Sequence, residues 1–560
     1  MWFLPNARPS DSVLEHDAKD HPATHHKTGV SEQAGTEPVV APIRQVYDES
    51  QTFYVLLIFF AAIALRVMLF AVGPYGDNER AMYPDSYRYV ELGETLIDRG
   101  EFGRLGPETG VVHEPLHQLR TDLGQIEPVG EDGLRPEIMR TPGYPALLGA
   151  TAWLGLGING LLLLQCLFGA VSVALVYGIG RALLKRPGPA LVAAAIVALH
   201  PADIAAPTAV LTETWFTLLI LLGLWSVADR ETRGIGSTTF GGLMIGLSVL
   251  VRPVSILLGP VVALWMVVTD FRVKTCVLAT LLVALSLAPG AAWMSRNEAV
   301  GFGYRLSSIP YINTYFYGNA YMRITDRGGD WKQDWPAEVD TLMGELRAEQ
   351  ELNPDADVFD TMKGLGVGAI WEHPVLYARV IRESVTKFFT DHSMGGLYQQ
   401  LGLTYTPTGL RDKLMNGGFS WSNVSDSLNN PTGWLALIWV GFNGLLMVGM
   451  ILGTVMLLVR RHYTVLLLLG GVMFYFTFAT QATGLERFRL PVLGIQALLV
   501  VSMFAPRMQR EKKARKPKRR WYEQDDDEED GGGEDAVSPT DPPEAEDDPE
   551  PEPEALARPL

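Results

Sequence analysis

The chain has 560 residues, of which 48% are hydrophobic and 19% charged, and its mean hydropathy is +0.12. This composition excludes an assembly of ordinary soluble domains. The net charge of −17 offers no basic face for nucleic acid, and two cysteines cannot build a disulfide framework or a cysteine metal site. Seventeen acidic residues and one arginine lie within residues 521–560, so the rest of the chain is close to neutral.

Residues 1–52 are polar, contain no apolar stretch and predict a disordered cytoplasmic leader. Residues 53–505 carry repeated apolar runs, which predict an all-α polytopic membrane protein with about ten transmembrane helices. The predicted spans are Phe53–Val72, Leu161–Leu184, Pro189–Ala206, Ala209–Ala228, Phe240–Val251, Val254–Val268, Val273–Trp293, Trp434–Val459, Tyr463–Ala479 and Leu490–Phe504.

Charge sets the predicted orientation of these spans. Tyr144–Leu156 is apolar but too short to cross a bilayer. If it inserts only partly, the Lys and Arg clusters between spans all fall on the cytoplasmic side, as the positive-inside rule requires. Both termini are then cytoplasmic. Residues 506–520 form a basic juxtamembrane segment against anionic lipid, and residues 521–560 an acidic disordered tail.

This topology places two long segments, 73–143 and 295–432, outside the membrane, where they are expected to contain interfacial helices. Asp85 follows Pro84 at the predicted start of a helix in the first segment, where the helix dipole favours its ionised form. It could act in catalysis or simply cap the helix. Asp77 and Glu79 form a loose acidic pair that could hold a divalent cation, although loop acids commonly have no such role.

Glu213 lies at the outer end of an apolar span. A carboxylate is costly to bury in a membrane, so Glu213 should face a cavity or a partner, unless it sits merely at the water boundary. Five arginines also fall on the outer side, against the positive-inside bias, and can clamp a phosphate or serve as interfacial anchors. They are Arg140, Arg252, Arg296, Arg487 and Arg489.

An ordered set of short motifs carries a family resemblance over roughly residues 53 to 504. The motifs are Pro84-Asp85-Ser-Tyr-Arg-Tyr89, Arg140-Thr-Pro-Gly-Tyr-Pro145, His200-Pro201, Thr212-Glu213, Arg252-Pro253, Trp293-Met-Ser-Arg296-Asn297, His373-Pro374 and Glu486-Arg-Phe-Arg489-Leu-Pro491. With these motifs the chain resembles the GT-C superfamily of integral-membrane glycosyltransferases. The branch it resembles is the bacterial one related to protein O-mannosyltransferases and lipid A aminoarabinose transferases.

The resemblance implies inverting transfer of a sugar from a polyprenyl-phosphate donor at the outer face of the cytoplasmic membrane. It implies that Asp85 is the catalytic acidic residue, which would act as general base, with Asp77 and Glu79 as an alternative position, and that Glu213 is the second catalytic acidic residue. Arg489 corresponds to a donor-phosphate ligand, with Arg487, Arg296, Arg140 and Arg252 as further candidates and Tyr89 as a substrate contact. No cofactor is predicted, and a divalent cation at Asp77 and Glu79 is the alternative.

The acceptor is left open between a lipid, a glycan and a protein, and the expected partners are the donor and the bilayer, with no nucleic acid. A secondary transporter is the alternative from another class, and it would favour charges near the bilayer midplane and inverted repeats. A polysaccharide polymerase or ligase is the alternative among enzymes.

Overall fold

The structure, a computed structural model, describes residues 49–106, 110–127, 129–130, 133–390, 395–403, 422, 425, 433–479 and 486–505. The basic segment 506–520, the acidic tail 521–560 and nearly all of the leader 1–52 lie outside the described residues. The first helix begins at Glu49, four residues before the first predicted span.

Helices make up nearly all of the described chain. The helices of the first half are α1 (Glu49–Val72), α2 (Pro84–Arg99), α3 (His113–Asp122), α4 (Gly143–Trp153), α5 (Gly157–Leu184), α6 (Pro187–Leu199), α7 (Pro201–Ala205), α8 (Glu213–Ala228), α9 (Ile235–Val251), α10 (Leu258–Thr269) and α11 (Val273–Ala299). Those of the second half are α12 (Ile309–Ile312), α13 (Asn319–Arg327), α14 (Trp331–Leu352), α15 (Val358–Glu372), α16 (Pro374–Thr390), α17 (Gly395–Gln400), α18 (Gly433–Val459), α19 (Tyr463–Ala479) and α20 (Leu490–Val501).

Ten apolar helical elements account for the predicted spans. Within the described residues, α1, α5, α11, α18 and the segment Arg487–Phe504 are long and apolar enough to cross a membrane. A sixth candidate consists of α6 and the segment Pro201–Thr208, which meet at a 61° bend. The helices α8, α9, α10 and α19 are apolar but shorter. The prediction of an all-α polytopic membrane protein with about ten such helices is therefore confirmed.

The apolar piece predicted as Tyr144–Leu156 is the 11-residue helix α4. At 1.5 Å per residue it is about 16 Å long, roughly half the thickness of a hydrocarbon core. It packs closely on α2, since a Cβ built on Gly149 would lie 2.9 Å from the carbonyl oxygen of Gly93. This contact brings the start of α4 near the start of α2.

The two segments predicted to lie outside share one small core. The side chain of Gln125 donates a hydrogen bond to the carbonyl of Ala356 and accepts one from the amide of Val358, both at 2.8 Å. Around this junction α3 packs with α12–α15, and we call this unit the cap subdomain. Its buried residues include Val112, Leu116, Leu119, Phe316, Val339, Leu342, Leu346, Phe359 and Met362.

The helix α20 lies at the centre of the apolar helices. Its residues Val492–Leu499 are buried, and it packs against α5, α6, α8, α18 and α19. A single 3-10 turn, Glu486–Arg489, leads into it. The arginines of that turn are therefore held at the end of the most enclosed helix of the bundle.

Candidate active site

The first turn of α2 presents Asp85. Pro84 occupies the first helical position, where its missing amide proton costs nothing. Ser86 accepts a hydrogen bond from the backbone amide of Tyr83 at 2.9 Å and donates one to the carbonyl of Val210 at 2.7 Å. Ser86 therefore supplies the hydrogen bond that caps this end of the helix, and it fastens α2 to the segment that precedes Glu213.

The Asp85 carboxylate forms ion pairs with two arginines. Arg140 Nη2 lies 3.4 Å from Asp85 Oδ1, and Arg487 Nη2 lies 3.2 Å from Asp85 Oδ2. Burial of the carboxyl raises its pKa, but the charges and hydrogen bonds of Arg487 and Arg140 outweigh this effect. The net result is a pKa of Asp85 below its ordinary value, so this group is ionised at neutral pH.

Glu213 is the second carboxylate of the cluster and is only 2% exposed. It lies in the first turn of α8, where the helix dipole favours a negative charge. Arg252 Nη1 lies 3.1 Å from Glu213 Oε1, and Arg487 Nε lies 3.8 Å from the same oxygen. A carboxylate buried this deeply needs such partners, so Glu213 does not stand merely at a water boundary.

Arg487 joins the two halves of the cluster because it contacts both Asp85 and Glu213. Three arginines, Arg140, Arg252 and Arg487, thus surround two carboxylates and leave the cluster with an excess of positive charge. An excess of positive charge suits an anionic ligand.

A cavity of about 870 Å³ opens onto this cluster. Asp85, Tyr89, Arg140, Arg252 and Arg487 line its polar part. One of its walls is largely apolar and is drawn from α19, from the residues between α9 and α10, from the turn Glu486–Arg489 and from the start of α20. The apolar lining includes Pro253, Val254, Ile256, Leu257, Phe476, Ala479, Phe488 and Pro491. A cavity with a cationic end and an apolar wall fits an amphiphilic ligand.

Tyr89 and Arg252 are oriented by aromatic neighbours. The ring of Tyr89 packs edge-to-face on that of Tyr144 with centroids 5.2 Å apart, and the Arg140 guanidinium lies 5.7 Å from the Tyr89 ring centroid. The Arg252 guanidinium lies 4.9 Å from the ring centroid of Phe488. Such contacts restrict the flat guanidinium groups without neutralising them.

Two of the five predicted arginines lie elsewhere. Arg489 is 2% exposed, donates to the carbonyl of Phe389 at 2.8 Å and to Asn443 Oδ1 at 3.0 Å, and does not line the cavity. Arg296 donates to the carbonyls of Glu137 and Phe102 at 2.8 and 2.7 Å. Arg296 thus joins two backbone carbonyls, and Arg489 joins a backbone carbonyl to the side chain of Asn443.

The side chains of Asp77 and Glu79 contact two different residues, Arg80 and Tyr87. Asp77 Oδ2 pairs with Arg80 Nε at 3.0 Å, and Glu79 Oε2 accepts a hydrogen bond from the Tyr87 hydroxyl at 2.6 Å. Among the residues that the structure describes, no group of three or more His, Cys, Asp or Glu side chains could hold a metal ion.

The cavity also contains Lys363 and Asn313, which sequence reasoning missed. Both reach it from the cap subdomain, as do Tyr311 and Tyr317, which belong to a tyrosine-rich stretch whose rings suit either sugar stacking or the membrane interface. The cap subdomain is rich in aromatic and charged residues, and no spacing distinguishes these four from the others. Their approach to Asp85 depends on the packing of segments more than 200 positions apart in the chain.

A model of the dolichyl-phosphate-mannose-protein mannosyltransferase family matches residues 139–293, which include Arg140, Glu213 and Arg252 but neither Asp85 nor Arg487. No curated protein matches the chain. The predicted resemblance to GT-C glycosyltransferases is thus confirmed by an independent match over this segment.

Solved structures of membrane transferases show a weaker similarity. The archaeal oligosaccharyltransferase AglB from Archaeoglobus fulgidus, in complex with an inhibitory peptide and a dolichol-phosphate, is 14% identical with a TM-score of 0.42, and the match covers 81% of this chain and 50% of that one. ArnT from Cupriavidus metallidurans in the apo state is 13% identical with a TM-score of 0.33, covering 81% and 78%. The chain thus spans about half the length of the AglB chain that it matches.

Proposed function

We propose that this chain is a membrane glycosyltransferase that moves a sugar from a polyprenyl-phosphate donor to an acceptor at the outer face of the membrane. The observation that carries the proposal is the bridging position of Arg487. This arginine contacts both Asp85 and Glu213 at the cationic end of a cavity whose other wall is apolar.

The donor fits the two parts of the cavity. Its polyprenyl chain would lie along the apolar wall formed by α19 and the α9–α10 connection. Its phosphate would meet Arg140, Arg252 and Arg487, whose forked guanidinium groups bind phosphate oxygens in pairs. The match of residues 139–293 to a mannosyltransferase family that is described by a dolichyl-phosphate-linked sugar supports a donor of this class.

Asp85 is the proposed general base. The acceptor nucleophile would attack the anomeric carbon as its proton passes to the Asp85 carboxylate, and the bond from the anomeric carbon to the phosphate oxygen would break with inversion. The departing polyprenyl phosphate keeps the electron pair, and the arginines stabilise its charge. Because the donor phosphate competes for Arg140 and Arg487, donor binding loosens their ion pairs with Asp85 and strengthens it as a base.

Glu213 would hold the phosphate clamp in shape. It pairs with Arg252 and Arg487 from the buried side, at 3.1 and 3.8 Å. Loss of the carboxylate would leave these guanidinium groups free to turn away from the phosphate. Its proposed role is therefore positioning through the arginines, whereas Asp85 would contact the acceptor directly.

The test is transfer of radiolabel from a polyprenyl-phosphate sugar in membranes that contain the wild-type chain or Asp85→Asn. We expect Asp85→Asn to lower the rate by about 10²- to 10⁴-fold, the usual contribution of a general base. The matched control is Asp98→Asn, an exposed carboxylate at the other end of the same helix, which should leave the rate unchanged. Undiminished transfer by Asp85→Asn would remove Asp85 as the base.

A further inference from the structure

A short loop, residues 137–141, carries Arg140 to the cavity and lies directly before α4. Met139, Arg140 and Thr141 line the cavity. The Arg140 side chain is largely buried, and its Nη2 lies 3.4 Å from Asp85 Oδ1. The position of this guanidinium therefore depends on the course of the main chain through the loop.

The Glu137 carboxylate fixes that course. Its Oε1 accepts hydrogen bonds from the backbone amides of Met139, at 2.7 Å, and of Arg140, at 2.9 Å. One oxygen atom thus turns the chain and binds the amide of Arg140 itself. Because Glu137 is fully buried, water does not compete with it for these two amides.

Arg296 anchors the backbone of Glu137. Its Nη1 donates to the carbonyl of Glu137 at 2.8 Å, and its Nη2 donates to the carbonyl of Phe102 at 2.7 Å. The amide of Glu137 donates to that same carbonyl of Phe102 at 3.2 Å. The residue whose carboxylate binds the Arg140 amide is thereby tied to the end of α11.

Two serines directly before α12 bind the next part of the loop. The Ser308 amide donates to the carbonyl of Ile138 at 3.0 Å, and the Ser307 hydroxyl donates to the carbonyl of Met139. Every main-chain carbonyl from Glu137 to Met139 is thus bound, which leaves the loop little freedom to move.

The carboxylate of Glu137 serves this loop alone. Among the described residues, it makes hydrogen bonds to the amides of Met139 and Arg140 and to no other group. Burial of a carboxylate is unfavourable, and the two bonds that offset it both shape the path to Arg140. Glu137 does not line the cavity, so it acts through another residue.

We propose that Glu137 is a positioning residue, whose acceptor oxygen holds the Arg140 guanidinium beside Asp85 and at the site of the donor phosphate. The phosphate contact rests on the proposed function, whereas the placement of Arg140 beside Asp85 does not. The negative charge of Glu137 is not required for this role, since the oxygen of a carboxamide accepts the same hydrogen bonds.

Two neutral substitutions of similar length separate the acceptor from the charge. Glu137→Gln keeps an acceptor oxygen, whereas Glu137→Met fills the same buried space without one. Both variants lose the negative charge. A difference between them therefore measures the effect of the hydrogen bonds to Met139 and Arg140.

The first measurement is the pH profile of radiolabel transfer. Burial raises the pKa of Asp85, and the charges of Arg487 and Arg140 bring it below its ordinary value. If the Arg140 guanidinium moves away, the pKa of Asp85 rises, and the acidic limb of kcat/KM moves to higher pH. We expect this shift in Glu137→Met, with KM for the donor raised about tenfold, the usual effect of one lost hydrogen bond to a charged group.

Glu137→Gln should keep the wild-type profile and KM. The other titratable and charged groups around Asp85 are the same in both variants. They are Tyr89, His113, Glu213, Arg252, Tyr317, Lys363 and Arg487.

The titration of Asp85 can also be measured without transfer. The infrared difference between the full chain and its Asp85→Asn form isolates the carboxyl band of Asp85 across a pH series. We expect Asp85 to titrate at higher pH in Glu137→Met than in the wild type, and at the wild-type pH in Glu137→Gln. This shift in a chain that transfers no sugar would support the positioning role and reject the transferase function.

The matched control is Glu127→Met, which removes another buried carboxylate of the same external segment. Glu127 pairs with Arg120 at 2.6 Å, and neither residue lines the cavity. We expect this variant to lose thermal stability and to keep the wild-type pH profile, KM and Asp85 titration.

Equal behaviour of Glu137→Gln and Glu137→Met, whether both match the wild type or both shift, would overturn the proposal. If Glu137→Met does not fold, Glu137→Asp takes its place, because the shorter side chain withdraws the oxygen from the two amides by one carbon–carbon bond. We then expect the shift in Glu137→Asp, and an Asp variant that matches Glu137→Gln would reject the role.

Discussion

At the scale of single residues, Arg487 and Arg489 have different surroundings although they are two positions apart. Both lie in the 3-10 turn Glu486–Arg489, where three residues complete a turn and alternate residues project in different directions. Arg487 meets Asp85 and Glu213, whereas Arg489 meets the Phe389 carbonyl and Asn443. Of the pair, only Arg487 lines the cavity, so Arg487 is the one that we propose as a ligand of the donor phosphate.

The charge of Arg487 should control the acidic limb of the pH profile. Arg487 and Arg140 hold the pKa of Asp85 below its ordinary value, and a general base is active only when deprotonated. In Arg487→Gln one of these charges is lost, so the pKa of Asp85 rises. We therefore expect the acidic limb of kcat/KM to move to higher pH, as measured by radiolabel transfer across a pH series.

The control for this pH profile is Arg347→Gln, which removes an exposed arginine outside the cavity and should leave the limb where it is in the wild type. An acidic limb that stays in place in Arg487→Gln, or moves to lower pH, would contradict the assignment of Asp85 as the titrating base. The total activity of Arg487→Gln should also fall, because a phosphate contact is lost.

At the scale of helices, the close packing of α2 on α4 brings Asp85 to Arg140. Asp85 lies in the first turn of α2, and Arg140 lies three residues before α4. Glycines at the crossing permit this approach, because a Cβ on Gly93 would lie 3.0 Å from the carbonyl oxygen of Pro145. The distance between the two charged groups is thus set by residues that carry no charge.

Substitutions at Gly149 should lower activity from outside the cavity. A Cβ at this position would lie 2.9 Å from the Gly93 carbonyl oxygen and 2.8 Å from Ile97 Cγ1, so α2 must shift. We expect Gly149→Leu to reduce kcat/KM by about 10²-fold, the cost of a shift of about 1 Å at a reacting group, and Gly149→Ala to reduce it less.

The control for the helix crossing is Gly188→Ala, because a Cβ at Gly188 meets open space. Thermal unfolding of each variant shows whether it is folded. A low activity in a folded variant can then be attributed to displacement of α2. Wild-type kcat/KM in a folded Gly149→Leu protein would show that the position of α2 does not govern the reaction.

At the scale of the whole molecule, the proposed orientation places the cap subdomain outside and the loop between α8 and α9 inside. Gly344 is exposed on the cap subdomain and Thr232 is exposed on the α8–α9 loop. A single cysteine introduced at either position, in a chain that carries Cys276→Ser, measures the orientation in the membrane. We expect Gly344→Cys to react with a membrane-impermeant maleimide added to intact cells, and Thr232→Cys to react only after lysis. The remaining Cys166 is buried and serves as the unreactive background. The opposite pattern of labelling would reverse the orientation and place the proposed transfer on the cytoplasmic side.

The apolar helices could be predicted from the sequence because membrane insertion depends on local composition. A run of about 20 apolar residues spans a bilayer whatever its neighbours are, and the ten predicted spans correspond to ten helical elements. Asp85 and Glu213 could be identified as candidate site residues for a similar reason. A carboxylate beside an apolar segment, or in the first turn of a predicted helix, can be recognised from the neighbouring sequence alone. The predicted catalytic roles of both residues stay predictions.

The partners of these residues depended on tertiary structure. Asp85 and Arg487 are 402 positions apart, and Arg140 approaches Asp85 only because α2 crosses α4 at two glycines. Sequence reasoning could place five arginines on one side of the membrane but could not separate Arg140, Arg252 and Arg487 at the cavity from Arg296 and Arg489 away from it. Insertion of an apolar segment into a membrane depends on the composition of that segment alone. An ion pair depends on two segments, which only the packing of the whole chain brings together.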